Sequence, residues 1–152
     1  MSENYLFLDI DGVLNGHSWN EEAQSNTIDK ECVWCFNQII RAVQPKVVIS
    51  SAWRYMINGY AISLKGFEYL LRTHGVSEKL NIVDTTQSDE DEPRGRPRQI
   101  LDYIHENKIG DAKIVILDDE DYGWNIRDFD FNINPKDYWY QTDPYYGLRR
   151  SD

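Results

Sequence analysis

Three short apolar runs, each followed by or ending in a polar residue, constrain the fold of this chain more than any other feature. Two of them, Tyr5–Leu8 and Lys113–Leu117, are followed directly by Asp9 and Asp118. The third, Lys46–Ser50, ends in its own serine. Continuous apolar runs of this length are typical of strands buried on both faces of a sheet.

The segments between these runs have apolar residues at helical spacing. The predicted helices are Ile28–Val43, Leu64–His74 and Arg98–Asn107, with Pro45 and Gly75 as stop signals. Weaker strand candidates are Leu80–Val83, Phe129–Ile133 and Tyr138–Gln141, and the loops are Gly16–Thr27 and Gln87–Glu92. Strands that alternate with helices predict an α/β fold, a three-layer Rossmann-like parallel sheet with helices on both faces.

The carboxyl ends of parallel strands meet at one edge of the sheet, where ligands of such folds bind. We therefore expect Asp9, Ser50 and Asp118 to converge there. A buried strand that ends in two acids, as at Asp118 and Asp119, is costly unless a cation compensates for them. Mg²⁺ prefers oxygen ligands and often binds through one or two carboxylates plus a substrate phosphate, so Asp9 and Asp118 are its predicted ligands.

Asp9 and Asp11 lie at the point where the first strand ends, and Gly12 allows the backbone to turn sharply. One carboxylate can attack phosphorus or hold a metal while the other moves a proton. Neighbouring carboxylates also push their pKa values apart, which suits such a division. Taken alone, the pair is equally consistent with exposed acids in a turn.

Groups that suit a phosphate ligand follow the second strand and precede the third helix. The hydroxyls or backbone N–H groups of Ser50 and Ser51 can hold a phosphate oxygen. Arg96, in the segment Arg94–Arg98, carries a permanent charge whose planar geometry matches phosphate. This basic segment follows an acidic run, so simple local ion pairing is the alternative interpretation.

Net charge, hydropathy and cysteine content limit the kinds of partner and the location that we expect for this chain. The 152-residue chain carries a formal charge of −10, which argues against a broad basic face for nucleic acid. It has no apolar run near the roughly 20 residues that a membrane span requires and no secretion signal, so we expect a single cytoplasmic domain, 1–152. Cys32 and Cys35 lack the second pair of ligands that zinc sites use, and we interpret them as helix residues.

These motifs, in this order, resemble those of the haloacid-dehalogenase-like phosphatase superfamily, over about Tyr5 to Gly123. The resemblance implies that Asp9 attacks phosphorus and forms an aspartyl-phosphate. It implies that Asp11 protonates the leaving oxygen and then activates water, while its backbone carbonyl also binds Mg²⁺. It further implies that Asp118 completes the metal ligands and that Asp119 supports them.

The same resemblance assigns the phosphate contacts. Ser50 binds the phosphoryl group, and Arg96 takes the place of the third-motif cation, although Arg94 or Arg98 could replace it. The segment SSAWR from Ser50, together with RPRQI and the late YGL, looks like the small phosphatase domains of bacterial and phage RNA-repair proteins. In that narrower comparison Arg54 lies beside the site.

The gaps between the motifs leave no room for a large cap domain, so an open site is expected. An open site favours a phosphorylated nucleotide or a nucleic-acid end. The first alternative is a small phosphoester, with the lid supplied by a partner subunit. The second is a receiver-like module phosphorylated on Asp, which is disfavoured because the middle strand ends in Ser50. The aromatics of the C-terminal region can stack on bases, but strand packing explains them equally well.

Overall fold

The computed structural model describes residues 3–10, 13–15, 28–50, 63–86, 95–126, 133–143 and 147–149. Within these ranges the strands are β1 (Asn4–Leu8), β2 (Lys46–Ile49), β3 (Ile82–Thr85), β4 (Lys113–Asp118) and β5 (Trp139–Gln141). The helices are α1 (Lys30–Val43), α2 (Leu64–Thr73) and α3 (Arg96–Glu106), and a 3₁₀ turn spans Pro135–Asp137.

The five strands form one sheet in the order β3-β2-β1-β4-β5, and all neighbouring pairs are parallel. The chain builds outward from β1 through β2 to β3, and then crosses to the other side of β1 for β4 and β5. The strand order therefore reverses between β1 and β4. In open α/β sheets the ligand crevice lies at this switch point, which Asp9 and Asp118 flank.

Helices cover both faces of the sheet, as predicted. Leu6, Leu8, Val47 and Ile49 pack with the buried residues of α1 and α2 in one core. The residues that alternate with them along the strands point to the other face and pack against α3, including Phe7. The three-layer α/β prediction is confirmed. The described residues include no cap domain and no helix long and apolar enough to cross a membrane.

Several predicted boundaries shift for local physical reasons. Helix α1 begins at Lys30 rather than Ile28, because the Asp29 side chain caps it by accepting the Glu31 N–H at 2.8 Å. Helix α3 begins two residues early at Arg96, since Pro97 suits a first helical turn.

Strand β3 starts two residues later than predicted. The N–H of Leu80 donates to the carbonyl of Ser77 at 3.0 Å, so Leu80 belongs to a turn rather than to the strand. The predicted stop at Gly75 is confirmed by its φ of +96° directly after α2. Strand β5 begins one residue later than the predicted Tyr138–Gln141 strand and lies at the edge of the sheet. The predicted Phe129–Ile133 strand and both predicted loops fall largely or wholly outside the described residues.

Gly147 is the point at which the C-terminal segment packs closely against α1 and the turn after β1. Its φ is +71°, and a Cβ there would lie 2.7 Å from Cys32 Sγ and 2.8 Å from the carbonyl oxygen of Asn15. The next residue, Leu148, donates its N–H to the carbonyl of Val13 at 2.8 Å. Cys32 therefore acts as a buried packing residue whose neighbour must be glycine.

We expect Gly147→Ala to lower the free energy of unfolding by about 3 kcal/mol, because backbone strain and overpacking add at this site. Gly123→Ala is the matched control, since Gly123 has a φ of +78° but open space around its Cβ position. It should lose only about 1 kcal/mol. Urea unfolding of both variants measures the difference, and equal losses would contradict the packing argument.

Candidate active site

The polar residues that follow the strands lie in one row along the carboxyl edge of the sheet. The backbone N–H groups of Asp9, Ser50 and Thr86 donate to carbonyls of the neighbouring strands at 3.0, 3.0 and 2.9 Å. Asp118 is the last residue of β4 and pairs with Gln141. By strand alternation these side chains project towards the face that α3 covers.

Three carboxylates meet at this edge. Asp9, Asp118 and Asp119 are all buried, and one oxygen from each lies within 4.8 Å of the others. One oxygen of Asp9 accepts the N–H of Ile10 at 2.9 Å, and one oxygen of Asp118 accepts the N–H of Glu120 at 3.1 Å. These backbone contacts fix the two carboxylates and leave their Oδ2 atoms for another partner.

Arg96, the first residue of α3, provides that partner. Its Nη1 lies 2.7 Å from Asp118 Oδ2 and 3.3 Å from Asp9 Oδ2, and its side chain is only 13% exposed. Arg98 instead pairs with Asp102 at 3.4 Å. Of the two described arginines of the basic segment, it is therefore Arg96 that the structure brings to the acids.

The cluster places three carboxylates against one guanidinium. Burial, together with the neighbouring Asp118, raises the pKa of Asp9 to about 8, and the charge of Arg96 only partly offsets this. Burial also raises the pKa of Asp118, against the opposing effect of Arg96. Clustered carboxylate oxygens are the donors that Mg²⁺ prefers, so the residues present fit a divalent cation that would replace the missing positive charge.

The shifted pKa of Asp9 predicts how stability depends on pH without metal. The folded protein keeps a proton that the unfolded chain releases, so the free energy of unfolding should fall as pH rises from about 4 to about 8. Asp9→Asn should flatten this dependence and be more stable than wild type at pH 8 by about 2 kcal/mol. Urea unfolding in chelator at several pH values tests this, and a less stable variant at pH 8 would contradict it.

Comparison with known families agrees with this geometry. The model of the HAD domain in Swiss Army Knife RNA repair proteins, where HAD denotes the haloacid-dehalogenase-like class, matches residues 5–152. The chain belongs to this family. No curated protein is significantly similar to the chain. The predicted resemblance is confirmed, and membership supports a phosphohydrolase of the HAD type.

Residues beyond the predicted set hold the acid pair of this HAD domain in place. The indole N–H groups of Trp139 and Trp124 donate to the carbonyls of Asp118 at 3.1 Å and Glu120 at 2.9 Å. Gln141 Nε2 donates to the carbonyl of Asp119 at 3.2 Å. Trp139 is one of the C-terminal aromatics for which base stacking and strand packing were both open, and in the structure it packs on Trp124 and supports the backbone of Asp118.

Thr86 is a site residue that the sequence did not reveal. It is fully buried in the polar row, and its hydroxyl has no hydrogen-bond partner among the described residues. A buried polar group without a partner is destabilising. The displaced prediction of β3 hid it, because a strand ending at Val83 places Thr86 out of line with Ser50.

Thr86→Val removes this hydroxyl and keeps the branched shape of the side chain. We expect the free energy of unfolding of the protein without ligand to rise by about 1 kcal/mol. Thr86→Ser, which keeps the hydroxyl, should show no gain. Chemical denaturation measures both variants, and a loss of stability in the valine variant would show that the hydroxyl has a structural partner.

Three predicted site residues, Asp11, Ser51 and Arg54, lie outside the described residues, as does Arg94. Their roles remain predictions from the sequence. Glu120 and Asp121, which follow the acid pair, are exposed in the structure. The geometry of the candidate site therefore rests on Asp9, Asp118, Asp119 and Arg96, with Ser50 in the same row.

Proposed function

We propose that this HAD domain is a Mg²⁺-dependent phosphomonoesterase that acts on a nucleotide or polynucleotide end through an aspartyl-phosphate on Asp9. The observation that carries the proposal is the buried cluster of Asp9, Asp118 and Asp119 with Arg96 bridging two of the acids. Phosphoryl transfer needs an oxygen nucleophile, a cation site and a fixed positive charge beside the phosphoryl oxygens. The cluster supplies each of these.

The two acids that touch Arg96 differ in a way that favours Asp9 as the nucleophile. Both acids are buried, but Asp118 makes the shorter contact with Arg96, 2.7 Å, whereas the contact of Asp9 is 3.3 Å. A carboxylate oxygen in a short charge-assisted contact is held more strongly, and is less available to attack phosphorus, than one in a longer contact. Asp9 is therefore the freer group, and Asp118 is the better-anchored ligand.

Each step of the proposed reaction has an assigned group. Asp9 Oδ2 forms a bond to phosphorus, the bond to the leaving oxygen breaks, and Asp11 supplies a proton to that oxygen. Asp11 then takes a proton from water, whose oxygen attacks phosphorus and releases Asp9 and inorganic phosphate. Arg96 and the Ser50–Ser51 segment hold the non-bridging phosphoryl oxygens throughout.

The cation would be held by Asp9, Asp118 and the backbone carbonyl of Asp11, with Asp119 supporting them. Mg²⁺ bound there would neutralise phosphoryl charge and would favour the ionised form of Asp9. This matters because, without a metal, burial and the neighbouring Asp118 raise the pKa of Asp9 to about 8. A protonated carboxyl group is a poor nucleophile at neutral pH.

Two observations support a nucleotide or polynucleotide end as the substrate. The family model describes domains of RNA repair proteins. The described residues also include no cap domain over the cluster. With a net charge of −10, the protein would hold such a substrate at its phosphate, through Arg96 and the cation, rather than along a basic surface. A small phosphoester, with a partner subunit as lid, remains the alternative substrate.

Phosphate release from p-nitrophenyl phosphate with Mg²⁺ tests the nucleophile. We expect Asp9→Asn to lower the rate at least about a thousandfold, because it removes the group that forms the covalent intermediate. Asp118→Asn should need about ten to a hundred times more Mg²⁺ for half-maximal activity. The matched control is Asp111→Asn, at an exposed acid just before β4 at the opposite end of the sheet.

The substrate is tested with the same preparations. Oligonucleotides with 3′- or 5′-phosphate should be hydrolysed faster than sugar phosphates. A preference for sugar phosphates would favour the alternative with a partner lid. Wild-type activity in Asp9→Asn would exclude Asp9 as the nucleophile, and full activity in chelator would exclude the metal requirement.

A further inference from the structure

Tyr122 is an aromatic residue beside the acid cluster that has no role in the proposed chemistry. Its ring centroid lies 4.6 Å from the guanidinium carbon of Arg96. Arg96 in turn contacts Asp9 and Asp118. The ring is thus only one residue removed from the proposed nucleophile, and yet 40% of Tyr122 is exposed.

Tyr122 is supported on a rigid base. The N–H of Gly123 donates to Asp121 Oδ1 at 2.9 Å, in a turn where Gly123 adopts a φ of +78°. The Tyr122 ring meets Trp124 edge to face, with centroids 6.1 Å apart. Trp124 is buried and stacks on Trp139 at 5.3 Å. Because both indoles are hydrogen-bonded to the backbone beside the acids, the ring position is tied to that of the cluster.

We propose that the exposed surface of Tyr122 is a stacking site for the nucleobase next to the scissile phosphate. Arg96 lies over the ring and Trp124 meets it edge to face, while 40% of the residue stays exposed to solvent. A phosphate held between Asp9 and Arg96 carries its nucleoside within reach of this ring. Base–aromatic stacking tolerates any base, because every base has a π face. The site therefore selects for a base without selecting its identity.

This inference rests on the proposed function and narrows its substrate class. A sugar phosphate has no base that could stack on this ring, whereas a nucleotide end has one. A second role for Tyr122 is to hold Arg96 in place through the cation–π contact. That role would affect every phosphate substrate equally, so the two can be separated by changing the substrate.

The experiment compares oligonucleotides that differ only in the terminal phosphorylated nucleotide, which either carries its base or is abasic. For wild type with Mg²⁺ we expect a KM about tenfold lower for the end with a base. In Tyr122→Leu this ratio should fall to near one, and in Tyr122→Phe, which keeps the ring, it should be retained. The difference should appear in KM rather than in kcat.

Tyr140→Leu is the matched control. Tyr140 is 44% exposed, and it aligns with Leu117, whose side chain belongs to the core under α1 on the opposite face of the sheet. Its replacement should keep the tenfold ratio. A common effect on exposed tyrosines, such as reduced solubility, would appear in both leucine variants.

Each outcome decides the inference. Equal KM values of wild type for the two ends would overturn the stacking site and leave the phosphatase in place. Equal losses of kcat in Tyr122→Leu with both ends, and an unchanged ratio, would assign Tyr122 to positioning Arg96 instead. No hydrolysis of either end by wild type would remove the proposed substrate class, and this inference with it.

Discussion

The burial of three carboxylates against one guanidinium is the constraint on which the site depends. Asp9, Asp118 and Asp119 are withdrawn from water at the edge of the sheet, and Arg96 compensates for only part of their charge. Such an arrangement is stable only if protons or a cation supply the remainder. The raised pKa of Asp9 corresponds to the first of these, since the carboxyl group keeps its proton to a higher pH. A bound divalent cation would be the second, and it would keep the carboxylate ionised.

The fold maintains this arrangement through backbone contacts. Parallel pairing brings the ends of β1 and β4 together at the switch point, so that Asp9 and Asp118 are neighbours in space although they are distant in sequence. Backbone N–H groups fix one oxygen of each acid, and Trp139 and Gln141 hold the carbonyls of Asp118 and Asp119. Like charges can be kept close because the sheet, rather than their own interaction, sets their separation.

The sequence predicted those parts that depend on local pattern. Buried parallel strands form apolar runs, so the residues that follow them, Asp9 and Asp118, could be located without coordinates. Arg96 could be predicted as a phosphate-binding cation because it is a permanent charge that lies directly before an apolar helical pattern. The predicted start of β3 was two residues too early, because the apolar Leu80 fits a strand pattern. In the structure the N–H of Leu80 donates to the carbonyl of Ser77, which places Leu80 in a turn.

The sequence does not predict Thr86 and Tyr122 as site residues, because only their tertiary contacts place them at the site. A threonine at a strand end is ordinary until it is found buried in line with Ser50, and a tyrosine in an acidic turn is ordinary until Arg96 lies over its ring. Neither relation leaves a periodic trace in the sequence. The sequence therefore predicts which residues follow the strands, and the structure shows which residues contact them.

Several features that are locally unfavourable occur together at this edge of the molecule. They are the raised pKa of Asp9, the hydroxyl of Thr86 and the exposed ring of Tyr122. Elsewhere in the described chain a buried acid such as Glu68 is fully compensated, since Arg72 and Lys65 both pair with it. Natural proteins concentrate departures from local rules at functional sites, where a ligand satisfies them. A cation held by the three acids would resolve the first of these, and a base stacked on Tyr122 would cover the third. Both fit a phosphate-transfer site better than a merely structural acid cluster.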